Sequence, residues 1–169
     1  MLWASRVCLT LEWLALSVWV GGLVILIAAV IPAVFNTFGG QDNGGFFLTR
    51  AFEGFNRAVL GAMAVLVAGL GWRYWVRHPV MPPTKAEWIV LGVMVVIAGV
   101  IMGVLHPQAA ALQAEAFAIK DEAARKAAFA AFFKVHMPVR ALYMVNLCLG
   151  VLLMGIRGNQ TLRAIKGQV

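Results

Sequence analysis

Two histidines stand at positions where their side chains could act together. His106 follows an apolar stretch that ends at Leu105, and His136 precedes another that begins at Met137. Met102 comes one helical turn before His106. Imidazole together with thioether sulfur suits copper, and two imidazoles from neighbouring helices suit haem b. His106, His136 and Met102 are therefore candidate metal or haem ligands, and interfacial histidines with a structural role are the simpler alternative.

Further polar residues are expected at the same membrane depth as these histidines. Arg140 follows Pro138, which removes one helical hydrogen bond and can admit water. An ionisable side chain within a membrane span indicates a functional site by default, although an arginine can instead extend to the lipid head groups. The sequence thus predicts a polar cluster near one membrane face that could bind a small ligand. Its members are His136, His106, Arg140, Asn56 and Arg57.

Four long apolar stretches must position these residues, over residues 7–35, 58–76, 88–105 and 137–156. Each meets or nearly meets the roughly 20 residues that a helix needs to cross a bilayer. Because backbone groups in lipid must be satisfied internally, and because the stretches lack the alternation of barrel strands, they are predicted to be helices. The fold class is an all-α integral membrane protein, one domain over residues 1–169 that forms an antiparallel four-helix transmembrane bundle.

The connections between the predicted spans differ in character. Gly39-Gly40 and Asp42–Gly45 predict a loop with tight turns after the first span. Thr84, with Glu87 three residues later, is a capping box that opens the third span. Residues 108–134 are rich in helix-forming residues with apolar positions on one face. They predict an amphipathic helix that lies on the membrane or runs into the fourth span.

The composition restricts the partners of the chain. It is 62% hydrophobic and 12% charged, whereas soluble domains contain about 25% charged residues. The net charge of +7 comes from basic residues near helix ends and in connections, which indicates contact with membrane lipid and not with nucleic acid. The basic residues closest to the spans favour cytoplasmic termini. Gly99 and Gly103 have a spacing typical of close helix packing, with self-association as the alternative.

Acidic residues give little indication of catalysis. Glu12 lies inside the first span, where an ion pair with Arg6, Arg73 or Arg157 is expected. The sequence shows no nucleophile beside a base, no phosphate-binding loop and no paired carboxylates, so we predict that the protein is not an enzyme and carries no cofactor.

Several short segments resemble one family. They are Trp19–Gly22, Pro32–Phe35, Phe52–Arg57, Leu105–Pro107 and Phe132–His136. The chain resembles, over nearly its whole length, the bacterial four-span proteins of unknown function related to eukaryotic transmembrane protein 205. The resemblance implies a multi-pass protein of the bacterial inner membrane and places His136 on the characteristic histidine of that family. Eukaryotic members are associated with resistance to platinum drugs, which implies handling of soft metals or xenobiotics.

Three functions remain open from the sequence. The leading hypothesis is a non-enzymatic membrane protein that assists other membrane components or handles a small ligand at the polar cluster. The second is a redox protein with haem or copper held by His106 and His136. Its first-helix segment Trp19–Gly22 also resembles copper-resistance membrane domains. The third is a structural subunit of a membrane complex that docks through the glycine-rich third helix.

Overall fold

The computed structural model describes residues 2–38, 41–78 and 81–166, and helices contain most of them. No strand occurs within these ranges. The helices are α1 (Leu2–Ile25), α2 (Ile31–Phe38), α3 (Gln41–Trp75), α4 (Lys85–Val100), α5 (His106–Ala118) and α6 (Glu122–Lys166). Two π-helical turns, Leu26–Val30 and Ile101–Leu105, join α1 to α2 and α4 to α5. The result is four continuous helices that are long and apolar enough to cross a membrane, as the sequence predicted.

The four spans pack against one another in antiparallel pairs. α1 packs against α3 and α6, and α4 packs against α6. Close approach depends on two glycines, since an added Cβ at Gly22 would lie 2.9 Å from Phe55 and one at Gly150 would lie 2.5 Å from Val20. Small residues at such crossings allow helix backbones to pack tightly without a hydrophobic driving force from water. The residues at the centre of the core are Leu16, Leu66, Leu70, Met94 and Leu153.

The surface and interior have the polarity expected of a protein in lipid. Large apolar side chains face outward along the spans, among them Leu14, Ile25, Ile89, Val96 and Val151. Four ionisable side chains are instead almost completely buried: Glu12, Arg73, Glu87 and Arg157. Apolar side chains lose nothing by facing acyl chains, whereas charges in that environment need internal partners.

The prediction of a loop between the first two spans is mostly wrong. Gln41–Trp75 is one helix, so the segment Asp42–Gly45 is helical, while residues 39–40 of that prediction lie outside the described residues. The glycines serve helix contacts and not turns. A Cβ at Gly44 would lie 3.3 Å from Val34, and one at Gly45 would lie 2.6 Å from Gln113. Tertiary packing here outweighs the weak helix propensity of glycine.

The helix predicted over residues 108–134 is divided between two spans. Its first part belongs to α5, which continues the third span, and its second part is the beginning of α6. Pro107 lies in the first turn of α5, directly after the π-turn Ile101–Leu105, and the third span continues through it. Only the second part therefore runs into the fourth span, so the prediction of one helix over residues 108–134 is wrong, and α5 packs against α6.

Gly99 and Gly103 lie on the outer surface of the third span. Both are exposed, and an added Cβ at either would meet no atom within 4 Å. The interpretation that these two glycines mediate packing within the chain is therefore wrong. Self-association through them stays a prediction.

Side-chain and backbone contacts involve both described parts of the connection between α3 and α4. Arg77, two residues after the end of α3, has the left-handed conformation (φ 46°), which is common just after a helix. The predicted capping box is confirmed: the Thr84 hydroxyl accepts from the Glu87 N–H at 3.3 Å, and the Glu87 carboxylate accepts from the Thr84 N–H at 3.0 Å. Both bonds satisfy helix donors that would otherwise be unpaired.

His78 in this connection makes stability depend on pH. It is only 6% exposed, and its Nδ1 accepts a hydrogen bond from the Met81 N–H at 3.1 Å. Burial, and then the charge of Arg73, lower the pKa of His78 below 6.5, with Glu12 opposing. In the unfolded chain the histidine binds a proton at a higher pH than in the fold. The stability that neutral His78 contributes is therefore complete above the pKa that this histidine has in the unfolded chain. It is lost as the pH falls through the lower pKa that His78 has in the folded protein.

We expect the unfolding free energy to decrease on acidification from neutral pH, by about 1.4 kcal/mol for each unit by which the pKa is lowered. Unfolding measured against pH for the wild type and for His78→Gln checks this expectation. The glutamine variant should have the shallower pH dependence, because its side chain does not titrate. Equal slopes would contradict the assignment.

Candidate functional site

A cavity of about 270 Å³ lies between α2, α3, α5 and α6, at the end of the spans opposite to the chain termini. Its walls are mainly aromatic and aliphatic, and several polar side chains reach it. The aromatic rings contact one another, with centroids 5.4 Å apart for Phe117 and Phe129 and 5.2 Å apart for Phe52 and Tyr143. Such a combination of apolar walls and few polar groups is typical of a small-molecule site.

Three of the predicted site residues meet at this cavity. His106 at the start of α5, and His136 and Arg140 one turn apart on α6, all line it. The ring of His136 stacks on Phe132 with centroids 4.9 Å apart and an interplanar angle of 25°. The His106 Nε2 is buried and has no hydrogen-bond partner among the described residues. A nitrogen in that state is available to a ligand.

The other predicted site residues lie elsewhere. Asn56 is buried beside the cavity and accepts a hydrogen bond from the Tyr143 hydroxyl at 2.8 Å. Arg57, the next residue, is exposed and does not line the cavity. Met102 packs against the apolar core, so it does not join the two histidines at the cavity.

Three polar side chains at the cavity were not anticipated from the sequence. They are Thr49, Gln113 and Tyr143. Gln113 lies two helical turns after His106 and accepts a hydrogen bond from the Thr49 hydroxyl. The spacing of seven residues between His106 and Gln113 could have indicated a shared helix face. The sequence did not place Gln113 at the cavity, because the residue lies in the segment predicted as an amphipathic helix.

Both π-helical turns lead directly into the cavity wall. The Ile31 N–H donates to the Leu26 carbonyl, and the His106 N–H donates to that of Ile101. A π-turn inserts one residue into the helical repeat and rotates the helix face that follows it. The cavity-lining parts of α2 and α5 thus present Ile31 and His106 to the interior. Pro138 interrupts the hydrogen bonding of α6 at the same site.

A second polar cluster lies near the opposite end of the spans. Arg73 Nε lies 3.2 Å from Glu12, and its Nη2 lies 2.6 Å from Glu87. Arg157 Nη2 lies 2.9 Å from Glu12, and its Nε lies 3.3 Å from Glu87. The four charges form a closed ring, which we call the ionic ring, in which each carboxylate contacts both guanidinium groups. The predicted ion pairing of Glu12 is confirmed with Arg73 and Arg157.

Neighbouring groups complete the ionic ring. The Glu87 carboxylate also accepts from the Gln160 amide at 2.8 Å, and Arg73 donates to the Met81 carbonyl at 3.2 Å. The glycine at position 69 leaves room for the Glu12 side chain, because a Cβ there would overlap it. The ring is electrically neutral and connects α1, α3, α4 and α6, which suits a structural role.

The described residues have limited capacity for metal binding. They contain no group of three or more His, Cys, Asp or Glu side chains placed to hold an ion. Among the described side chains at the cavity, two imidazoles are nitrogen ligands of the kind that copper or haem prefers. The arrangement therefore supports ligand binding through apolar contacts and a few hydrogen bonds more directly than it supports a metal centre.

Comparison with known proteins gives one match. No curated protein and no solved structure is significantly similar to the chain. Residues 14–118 match DUF4149, a domain of unknown function. The match includes Asn56, His106 and Gln113, and it ends with α5, before the part of α6 that carries His136 and Arg140. Because it covers more than half of the sequence, the chain belongs to the DUF4149 family.

Proposed function

We propose that this is a non-enzymatic membrane protein that binds a small, mainly apolar ligand in the cavity between α2, α3, α5 and α6. The observation that supports the proposal is the cavity itself, whose aromatic walls enclose the polar groups of His106, His136 and Gln113. Apolar walls supply affinity, and a few convergent polar groups orient the ligand.

The size of the cavity favours a ligand smaller than haem. A cavity of about 150 Å³ lined by apolar side chains holds one benzene molecule. The cavity here has about 270 Å³, which is enough for one substituted ring or a short chain. A haem macrocycle is several times larger than benzene and would have to extend well outside these walls.

The wider setting of this function is also a proposal. The four apolar spans suit a multi-pass protein of the bacterial inner membrane with cytoplasmic termini, which would place the cavity near the opposite membrane face. The resemblance to proteins related to transmembrane protein 205 implies xenobiotic or soft-metal handling, and an apolar cavity with two imidazoles is compatible with either.

Binding of a neutral ring compound tests the proposal. The probe is 4-(trifluoromethyl)benzamide, followed by ¹⁹F NMR with the protein in lipid nanodiscs. We expect saturable broadening of the fluorine signal that corresponds to one site per chain. Broadening that rises linearly with probe, as it does with empty nanodiscs, would show only partition into lipid and would contradict the proposal.

A copper site is the second candidate function, because the buried His106 Nε2 has no partner and His136 lines the same cavity. Elemental analysis and absorption spectra of the purified protein test it against a His106→Ala/His136→Ala double variant. Near-stoichiometric copper that the double variant loses would support the metal site. A metal-free, colourless wild type that also fails to take up added copper would contradict it.

A further inference from the structure

The described side chains that line the cavity include basic groups but no acidic ones. Among the side chains that the structure describes, the ionisable ones at the cavity are Arg140, His106, His136 and Tyr143, and no Asp or Glu lines it. The nearby acid Glu53 forms an ion pair with Arg50 at 2.8 Å. Among the described residues Arg140 makes no ion pair, although it lies within a membrane span. Arg140 is exposed where it lines the cavity, so its guanidinium is available to form charge-assisted hydrogen bonds with an anion.

The hydrogen-bonding groups at the cavity lead to the same conclusion. The Tyr143 hydroxyl already donates to Asn56, and the Gln113 carbonyl already accepts from Thr49. What remains for a ligand includes several donors, from the guanidinium of Arg140 and from one N–H group of each neutral imidazole. Such donors favour a ligand that carries oxygen atoms with lone pairs, as a carboxylate does.

The aromatic wall requires the rest of the ligand to be apolar. Phe117, Phe129 and Phe132 lie on the same cavity as the basic residues. Phe132 stacks on His136, so the apolar and polar parts of the wall are continuous. A fully hydrophilic anion such as phosphate would leave these rings without contacts.

From these observations we infer that the ligand is a small apolar monoanion, a carboxylate with an aromatic ring or an acyl chain. The carboxylate contacts Arg140, His106 and His136, and the apolar body packs against the phenylalanines. The inference rests on the proposed function, since it names the ligand class of the same cavity. The carboxylate can come from water as an aromatic acid or from the membrane as a fatty acid.

The test compares two pairs of probes that differ only in charge. The aromatic pair is 4-(trifluoromethyl)benzoate and 4-(trifluoromethyl)benzamide, which have nearly the same shape. The lipid-derived pair is octanoate and octanamide, each added as a competitor of the fluorinated probes in nanodiscs of neutral lipid. The variants are Arg140→Gln, which removes the charge at an exposed position, and Arg57→Gln, a matched control on the exposed surface.

We expect the wild type to bind at least one carboxylate about tenfold more tightly than its amide, as charge-assisted hydrogen bonds allow. Arg140→Gln should abolish this preference, and Arg57→Gln should preserve it. A preference confined to the benzoate supports an aromatic acid, and one confined to octanoate supports a short fatty acid.

Three outcomes would overturn the inference in whole or in part, and they can be told apart. Equal binding of acid and amide in both pairs refutes the anionic ligand but leaves the proposed apolar site intact. Absence of saturable binding for every probe refutes both the inference and the proposed function. A carboxylate preference that survives in Arg140→Gln would refute the role of Arg140.

Discussion

Replacing Glu87 with glutamine is expected to lower the free energy of unfolding by about 3–5 kcal/mol, the usual cost of removing one partner from a buried ion pair. Glu87 has no exposed surface, and its carboxylate contacts Arg73 at 2.6 Å and Arg157 at 3.3 Å. The glutamine keeps the size of the side chain but leaves the ionic ring with one excess positive charge. Desolvation of that charge is then uncompensated.

Equilibrium unfolding in mixed micelles measures this effect, with Glu53→Gln as the matched control. Glu53 also forms an ion pair, with Arg50, but that arginine is 79% exposed, so its loss should cost less than about 1 kcal/mol. The double variant Glu87→Gln/Arg157→Met makes the ionic ring electrically neutral again. Its loss in unfolding free energy should be smaller than the sum of the losses in the two single variants. Similar losses for Glu87→Gln and Glu53→Gln would contradict the structural role of the ring.

Ala110→Phe is expected to weaken probe binding at the cavity at least about a hundredfold, because the new ring occupies the ligand's space. Ala110 lines the cavity, and a benzene-sized group needs about 150 Å³, more than half of the volume present. The substitution fills an existing space, so the folded state should tolerate it.

The ¹⁹F titration used for the proposed function measures this loss. Ala141→Phe, which adds the same ring to an exposed position on α6, is the matched control and should bind the probe as the wild type does. Retained binding in Ala110→Phe, with unchanged unfolding behaviour, would show that the probe binds elsewhere.

The spans and their end signals were predictable because they depend on local sequence. Long apolar runs require helices in lipid whatever their neighbours are. The capping box of Thr84 and Glu87 is likewise a contact between residues three apart. Even the ion pairing of Glu12 followed from a local rule, since a lone carboxylate inside a span must find a cation.

The parts of the site that were missed depend on contacts between distant segments. Gly44 and Gly45 indicate a turn when they are considered alone, but in the fold they allow α3 to approach Val34 and Gln113. The π-turn that precedes His106 has no clear sequence signal and redirects the helix face that carries Gln113. The sequence therefore predicted Met102 and His106 as members of one ligand set, whereas Met102 packs against the core in the structure.

The two polar clusters suggest a division of roles along the spans. The ionic ring joins α1, α3, α4 and α6 near the chain termini, and its four charges pair with one another. The cavity at the other end is bordered by π-turns and a proline, and its basic side chains have no acidic neighbour among the described lining residues. We expect the stability of the fold to depend mainly on the ionic ring and ligand binding to depend mainly on the cavity.

A crystal structure with 4-iodobenzamide tests the central claim most directly. The anomalous signal of iodine locates the ligand without reference to any assumed site, and the neutral probe does not depend on the anionic preference inferred above. We predict one iodine position inside the cavity, among Phe117, Phe129 and Phe132. Iodine found only on the lipid-facing surface, with the cavity empty at saturating probe, would contradict the account.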